Sequence, residues 1–458
     1  MHHAGIVLAW LERAWSEETP LTIGLGASNY NAIDNLLSSV LDELARRTSA
    51  LGEPRLPPTV ARIRSSYSEP PSDPRIADVE RNSPQGAALA EELDTPSGCT
   101  IVGGTWMQLE KLAKARSAHD GQAAPWFDLL LMDEASQAGV AQSAAYFLLL
   151  RGDAHVVLAG DHRQLGPIYG FQVEDTEKGL FESIFTYMQD THAIPRTTLD
   201  TNYRTNDEIA AWPRERFYEA EGYEAFAPHR RLPLVLPAPS DEPPEGWPAR
   251  MPWSRHLPEI LGPDLPVAVV TYEERPHTLS NPFEAQMVGA LALLYRRAFE
   301  EEHGALDDKD FWGERLGIVT PHRAQMSAVR NLLEDAAGLE PTSLPFVDTV
   351  DRFQGQERDL IIASYTVADR DFVASEAEFI LDPRRFNVTL TRARSKFVML
   401  VSEAIVGHLP ADADVARDAA HLQLFVENYC SGVDEEISLP FRDRDREFIL
   451  PCRLKGRQ

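Results

Sequence analysis

Phe127-Asp128-Leu129-Leu130-Leu131-Met132-Asp133-Glu134-Ala135-Ser136-Gln137 is followed, after a spacer, by Asp153-Ala154-His155-Val156-Val157-Leu158-Ala159-Gly160-Asp161-His162-Arg163-Gln164-Leu165-Gly166-Pro167. Two apolar runs, Phe127 to Met132 and His155 to Ala159, each end in an acidic residue: the first in Asp133-Glu134, the second in Gly160-Asp161. Runs this short, broken at once by polar residues, predict buried parallel strands. Ligands of open parallel sheets bind outside the carboxyl ends of the strands. Two strands that each deliver a carboxylate there predict a nucleotide–Mg²⁺ site, with Asp161 at the end of the second. In that chemistry Asp133 holds the metal and Glu134 polarises the attacking water. Gln164, just past the second strand, offers an amide to a γ-phosphate. The bland reading is that an Asp-Glu pair simply ends a strand in solvent, and the pair alone does not choose between the two.

Composition bounds the answer. The chain has 458 residues, 43% of them hydrophobic, which suits two or more compact domains with full-sized cores. A net charge of −27 argues against a generic nucleic-acid coat, so any nucleic acid must bind in a local groove against the overall field. Cys99, Cys430 and Cys452 have neither disulfide-framework nor zinc-site spacing, which predicts a reducing cytoplasm. No stretch approaches the roughly 20 apolar residues of a membrane span, so no membrane partner is expected.

The string Asp133-Glu134-Ala135-Ser136-Gln137 with Gly160-Asp161-His162-Arg163-Gln164-Leu165-Gly166-Pro167 resembles motifs II and III of superfamily 1 helicases. The branch is the one that includes the nonsense-mediated-decay and Okazaki-processing helicases. Other stretches resemble further motifs in consistent order. Leu21 to Leu25 reads as a strand running into Gly26-Ala27-Ser28-Asn29-Tyr30-Asn31-Ala32-Ile33-Asp34-Asn35-Leu36, which resembles motif Ia. There Asn29 and Asn35 would meet a nucleic-acid backbone, although a plain turn with an Asn or Ser helix cap also accounts for the residues. Thr100-Ile101-Val102-Gly103-Gly104-Thr105 resembles motif Ic, with Thr105 on the strand. Thr320-Pro321-His322-Arg323 resembles the start of motif IV, with Thr320 as the contact.

Thr198-Leu199-Asp200-Thr201-Asn202-Tyr203-Arg204 resembles the motif that opens the second helicase domain. The resemblance implies that Arg204 serves the γ-phosphate. Arginine suits that task because its charge does not titrate and its planar fork matches phosphate oxygens. Val347 to Glu357 resembles motif V. In it Gly355 permits close backbone approach, and Glu357 would meet the ribose or an arginine. Arg385-Phe386-Asn387-Val388-Thr389-Leu390-Thr391-Arg392-Ala393-Arg394 resembles motif VI, with Arg392 as its γ-phosphate arginine. A cationic helix face accounts for Arg384, Arg385, Arg394 and Lys396.

The resemblance covers residues ~21–402. It implies an α/β fold of two RecA-like parallel-sheet domains of the P-loop NTPase type, with ATP and Mg²⁺ in the cleft. Single-stranded DNA or RNA is the implied partner. The expected boundaries are 1–195 and 196–402. Residues 53–97 read as a short accessory insertion, in which Arg62, Arg64 and Tyr67 could meet a nucleic-acid strand, although a solvated loop accounts for them better. Residues 224–266, dense in proline, read as an irregular surface insertion, and 403–458 as an acidic tail. The family's phosphate loop, G-x-x-x-x-G-K-[ST], does not occur in this sequence. The first domain is therefore expected to be truncated at that loop, with residues 6–17 as the helix that follows it. Two readings result. One is an ATP-dependent superfamily 1 helicase or translocase in truncated form. The other is a catalytically inactive helicase-like binding or scaffold protein. Retention of Asp133, Glu134, Gln164, Arg204, Glu357 and Arg392 favours the first.

Overall fold

The computed structural model describes residues 2–54, 56–117, 125–167, 178–222, 227–228, 236–249, 251–337, 346–353, 356–443 and 446–457. The chain divides into two compact units, Met1–Arg196 and Thr197–Gln458.

The first unit is built on six strands: β1 (Leu21–Gly26), β2 (Thr59–Arg64), β3 (Ala77–Glu80), β4 (Cys99–Gly103), β5 (Phe127–Met132) and β6 (Leu150–Leu158). Every pairing is parallel, in the order β3-β2-β4-β1-β5-β6. Central β1 is buried along its whole length, as a strand covered on both faces must be. The helix His2–Glu17, which includes the helix expected over residues 6–17, buries Ala4, Val7, Leu11 and Ala14 against β1 and the helix Tyr30–Leu51. The expected buried strand at His155 to Ala159 needs correction. It is the edge strand β6, and much of it is exposed.

Residues 53–97 are not an accessory insertion. They supply β2, β3 and the helix Pro84–Asp94, which extend the sheet past β4. Arg62 is accordingly no loop residue. It lies on β2, 2% exposed, and its guanidinium donates to both Asp34 carboxylate oxygens at 2.9 and 2.7 Å. Its positive charge also sits 4.9 Å over the Tyr30 ring. Arg64 pairs with Asp78 on neighbouring β3. Tyr67 is 98% exposed, as a loop residue should be.

The second unit opens with the short parallel pair β7 (Thr201–Asn202) and β8 (Ala227–Pro228). Its main sheet contains β9 (Val267–Tyr272), β10 (Leu316–Val319), β11 (Phe346–Asp348), β12 (Arg358–Ser364), β13 (Ala393–Ser402), β14 (Val433–Asp443) and β15 (Arg446–Arg457). The order is β11-β10-β12-β13-β9-β15-β14, parallel except for the last two strands. Residues 403–458 are therefore not a tail. They form two helical segments and a hairpin, and β15 pairs antiparallel with β9 from Cys452–Tyr272 to Arg457–Val267. Alternate hairpin residues Ile437, Leu439, Phe441, Leu450, Cys452 and Leu454 enter the core of the unit.

The described part of 224–266 is likewise more than surface coil. It contains the helix His256–Leu261, and Leu236, Met251, Leu257 and Ile260 join that same core. Arg394 and Lys396 lie on β13 rather than on a helix, because the helix Pro383–Thr391 ends before them. The Lys396 ammonium is buried and donates to the carbonyls of Gly262 and Leu265. Among the described residues no helix is long and apolar enough to cross a membrane.

Phe441 tests whether the hairpin is integral. Its ring lies 5.5 Å from Phe283 and 5.4 Å from Phe448. Phe441→Ala should destabilise the second unit by about 3–5 kcal/mol, read as a lower urea midpoint of that unit's transition. A loss within about 0.5 kcal/mol would put the hairpin with ordinary surface substitutions.

Candidate functional site

In the first unit the candidate residues gather at the carboxyl ends of β1, β5 and β6. The Asp133 amide donates to the Gly26 carbonyl at 2.9 Å, so β1 fixes where β5 ends. One Asp133 carboxylate oxygen accepts from the Glu134 amide at 2.9 Å; the other lies 4.0 Å from the His3 ring. The first turn of the helix His2–Glu17 thus stands beside Asp133. Glu134 has φ of +51°, a left-handed conformation that a side chain beyond glycine adopts only when its surroundings enforce it. Its carboxylate accepts from Gln137 Nε2 at 2.8 Å, and the Gln137 carbonyl oxygen accepts from the Ser28 hydroxyl at 3.0 Å. Ser28 therefore links the turn after β1 to Glu134 through Gln137. Neither Gln137 nor Ser28 was assigned a role from sequence, because the link spans 109 residues.

The turn after β6 packs against the turn after β5. A Cβ at Gly160 would lie 2.7 Å from the Ser136 amide nitrogen, so only glycine fits there. Asp161 accepts from the Arg163 amide at 2.9 Å and from Gln164 Nε2 at 3.0 Å, so the Gln164 amide is oriented by the carboxylate it follows. Among the described residues no group of three His, Cys, Asp or Glu side chains has a metal-binding arrangement.

Of the expected nucleic-acid residues here, Asn29 caps the helix Tyr30–Leu51 by accepting from the Ala32 amide at 2.9 Å. Asn35 is exposed on that helix. Thr105 is half-buried after β4, and its carbonyl receives the first amides of the next helix.

In the second unit two groups form at opposite ends of the sheet. At the amino ends of β12 and β13, Arg204 meets Glu357 at 2.5 Å. Asn202 builds the turn that presents Arg204: its carbonyl oxygen accepts the Arg204 and Thr205 amides at 3.0 and 3.1 Å. Arg394 also reaches Glu357, at 3.7 Å, and pairs more closely with Asp359 at 2.9 Å. Arg392 is only 2% exposed, and its guanidinium donates to the carbonyls of Val388 and Gln356 at 3.2 and 3.3 Å. Gly355 lies outside the described residues.

At the carboxyl ends of β10, β11 and β12 a pocket is lined by Thr320, Thr349, Tyr365, Phe379, Arg385 and Thr389, among others. Thr320 is 1% exposed, and its hydroxyl lies 3.1 Å from the Thr366 hydroxyl. Behind the pocket floor is a buried carboxyl that sequence reading did not single out. Glu284 is fully buried in the first turn of the helix Pro282–His303. It accepts from the Tyr272 hydroxyl, the Ser364 hydroxyl and the Thr366 amide, the last at 2.8 Å. Asn281 donates to Tyr272 at 3.0 Å, and Gln325 donates to Ser364 at 3.0 Å. Thr366 is held at φ of +69°, strained for a β-branched residue. Burial pushes the Glu284 carboxyl up to about 7, against the lowering effect of its hydrogen bonds.

Parallel α/β units with a carboxylate pair at a central strand end, and arginines clustered at a sheet end, define the RecA-like class. Residues 180–404 match the family described as AAA domain. The DNA replication ATP-dependent helicase/nuclease JHS1 of Arabidopsis thaliana is 28% identical over 292 residues, covering 62% of this chain and 19% of that protein. The DNA replication ATP-dependent helicase/nuclease DNA2 of Xenopus laevis is 29% identical over 291 residues, covering 60% and 25%. The Regulator of nonsense transcripts 1 homolog of Neurospora crassa is 24% identical over 404 residues, covering 87% and 31%. These matches support a superfamily 1 helicase, in the branch of the nonsense-mediated-decay and Okazaki-processing enzymes. The chain spans between 19% and 31% of the length of these three relatives.

Glu284 makes a signed prediction. Its carboxyl binds a proton more tightly folded, near pH 7, than at its ordinary value of 4.5. The stability it contributes is present below about pH 4.5 and lost as pH rises through 7, on the order of 3 kcal/mol in all. Lys396, pushed down to about 7 by burial, acts in a different window: folded it binds fewer protons, so stability rises from about pH 7 to 10.5. Glu284→Gln should flatten the pH 4.5–7 limb of the second unit's urea stability and leave the upper limb. An unchanged lower limb would assign that slope to other groups.

Proposed function

We propose that the chain carries the motor residues of an ATP-dependent helicase or translocase acting on single-stranded nucleic acid. Asp133 is the Mg²⁺ ligand and Glu134 the general base. Gln164 senses the γ-phosphate, with Asp161 as its anchor. The observation that carries the reading is the turn after β5. Glu134 is held in left-handed backbone, its carboxylate is oriented by Gln137, and Asp133 lies beside the start of a helix. A helix start is a favourable place for a phosphate. Mg²⁺ supplies charge neutralisation on the triphosphate; Glu134 takes a proton from water.

The second unit offers Arg204 and Arg392 for charge that develops on the transferred phosphoryl group, with Glu357 holding Arg204 in place. For this role Arg392 must exchange its carbonyl partners for phosphate oxygens. Asn29, Asn35, Thr105 and Thr320 are the proposed strand contacts. They offer hydrogen bonds and no charge, which suits backbone recognition without sequence preference. The family likeness supports nucleic acid as the partner; strand type is assigned by comparing DNA and RNA oligonucleotides of one sequence.

The test is strand-stimulated ATP hydrolysis by the longest natural form of the protein, wild type against Glu134→Gln. The variant should bind ATP and lose turnover, because Asp133 still holds the metal while the water has no base. Turnover within a few-fold of wild type would remove Glu134 from this role. Wild type that binds strand yet never hydrolyses ATP would favour the helicase-like binding module.

Arg204→Ala and Arg392→Ala should each lower turnover by a factor of about 10³, and lysine should not restore it, because it lacks the fork. Full activity in Arg392→Lys would instead mark Arg392 as a structural donor to Val388 and Gln356.

A further inference from the structure

Asn29, Ser28, Gln137 and Glu134 form one chain of side-chain hydrogen bonds, and chemistry fixes its direction. An ionised Glu134 carboxylate only accepts, so the Gln137 amide turns its Nε2 toward it, at 2.8 Å. That leaves the Gln137 carbonyl oxygen facing Ser28, whose hydroxyl donates to it at 3.0 Å. The Ser28 oxygen accepts in turn from Asn29 Nδ2 at 3.3 Å. Asn29 is held against a flip, because its Oδ1 accepts the Ala32 amide at 2.9 Å as the helix cap. Every donor therefore points toward Glu134, an arrangement in which each bond polarises the next.

The chain of bonds runs from the surface to the site. Ser28 and Asn29 are exposed, whereas Gln137 and Glu134 are half-buried. The frame around them is fixed. Gly26 accepts the Asp133 amide, and the Tyr146 hydroxyl lies 3.3 Å from the Ala27 carbonyl oxygen and 2.9 Å from that of Gly104. Tyr146 is 2% exposed and sits on the helix Val140–Phe147, which follows the Glu134 turn. A Cβ at Gly26 would lie 2.8 Å from the Tyr146 ring, so the turn after β1 closes directly on that helix. The exposed link at Ser28 is then the weak point, since water competes there for both of its bonds.

We propose that Ser28 and Gln137 are positioning residues that carry strand binding at Asn29 to the general base Glu134, so that a seated strand speeds hydrolysis. The inference rests on the roles proposed above for Asn29 and Glu134. A nucleic-acid backbone lying on Asn29 covers Ser28 and removes the competing water. Asn29 Nδ2 has two N–H groups and gives one to Ser28. An anionic oxygen that accepts from the other strengthens the bonds behind it by polarisation. The Glu134 carboxylate is then held more firmly in one orientation. Loss of Ser28 leaves Glu134 in place, because the turn after β5 sets its backbone.

The test has two arms. Hydrogen–deuterium exchange of the 458-residue chain, with and without a single-stranded oligonucleotide, follows the amides of residues 134–137. Bound strand should slow their exchange in wild type and not in Ser28→Ala, although both bind strand. In the longest natural form of the protein, Ser28→Ala should keep basal ATP hydrolysis and lose strand stimulation by about fivefold or more. Ser28→Thr keeps the hydroxyl and should keep the stimulation. Gln137→Ala should lower basal and stimulated turnover together, because it removes the group that holds Glu134 itself. A merely structural Ser28 would move basal and stimulated rates alike. Equal protection and equal stimulation in wild type and Ser28→Ala would overturn the proposal and leave the roles of Asn29 and Glu134 intact. Wild type that binds no strand would overturn Asn29 as a contact and the link with it. Where wild type binds strand without hydrolysing ATP, lost protection in Ser28→Ala supports the link and unchanged protection overturns it.

Discussion

The hydrogen bond from the Asp133 amide to the Gly26 carbonyl is the point on which the first unit's chemistry turns. It continues the parallel register of β1 and β5 one residue beyond the strand. Asp133 therefore leaves the sheet at a fixed height, and the chain can reverse only by forcing Glu134 into left-handed backbone. The turn that follows is compact enough for Gly160 to approach the Ser136 amide, which brings Asp161 and Gln164 to the same end of the sheet. Sheet register, one strained residue and one obligatory glycine together place four polar side chains that are distant in sequence.

The second unit solves a similar problem with a buried carboxyl. A fully buried glutamate without a cation is costly unless its oxygens are satisfied. Here three donors converge on Glu284, from β9, β12 and the turn after β12. A network of that kind specifies one arrangement, because any displacement strands a polar atom in the core. It fixes Thr366 against Thr320 and so fixes the pocket. The arginine group at the other end of the sheet is held differently, by exposed and half-buried ion pairs with Glu357 and Asp359. Pairs of that kind exchange partners more readily than a buried network does.

What was legible in the sequence was whatever depends on near neighbours. The apolar run of β5, the helix stripe of Val7 and Leu11, and the Asn29 cap all have periods or partners within a few residues. What was not legible depends on distant partners. Arg62 follows the apolar pair Val60 and Ala61 on β2, and its burial is explained by partners outside the strand, chiefly Asp34, 28 residues earlier. Pro282 stands at a helix start, yet nothing local shows that Glu284 turns inward, since its donors come from β9 and from beyond residue 360. The hairpin β14–β15 was read as tail because Asp434, Glu435 and Glu436 dominate its start. The alternation of Ile437, Leu439 and Phe441 behind them carries the true signal. His155 and Val156 are exposed on β6, which among the described residues pairs only with β5, so burial there is partial despite the apolar run.

Net charge sets how such a chain can hold a polyanion. With −27 overall, long-range attraction is absent, and the field at a distance repels a strand. Affinity must then arise at contact, from groups already oriented before the strand arrives. Flexible surface lysines would be poor donors here, since each loses rotamer freedom on binding without the compensation of steering. A threonine pinned by a buried carboxyl network has lost that freedom during folding, and Thr320 against Thr366 is of this kind. Rigid short-range donors on an acidic protein favour a grip that forms only when the backbone is correctly seated. Little residual attraction then hinders release.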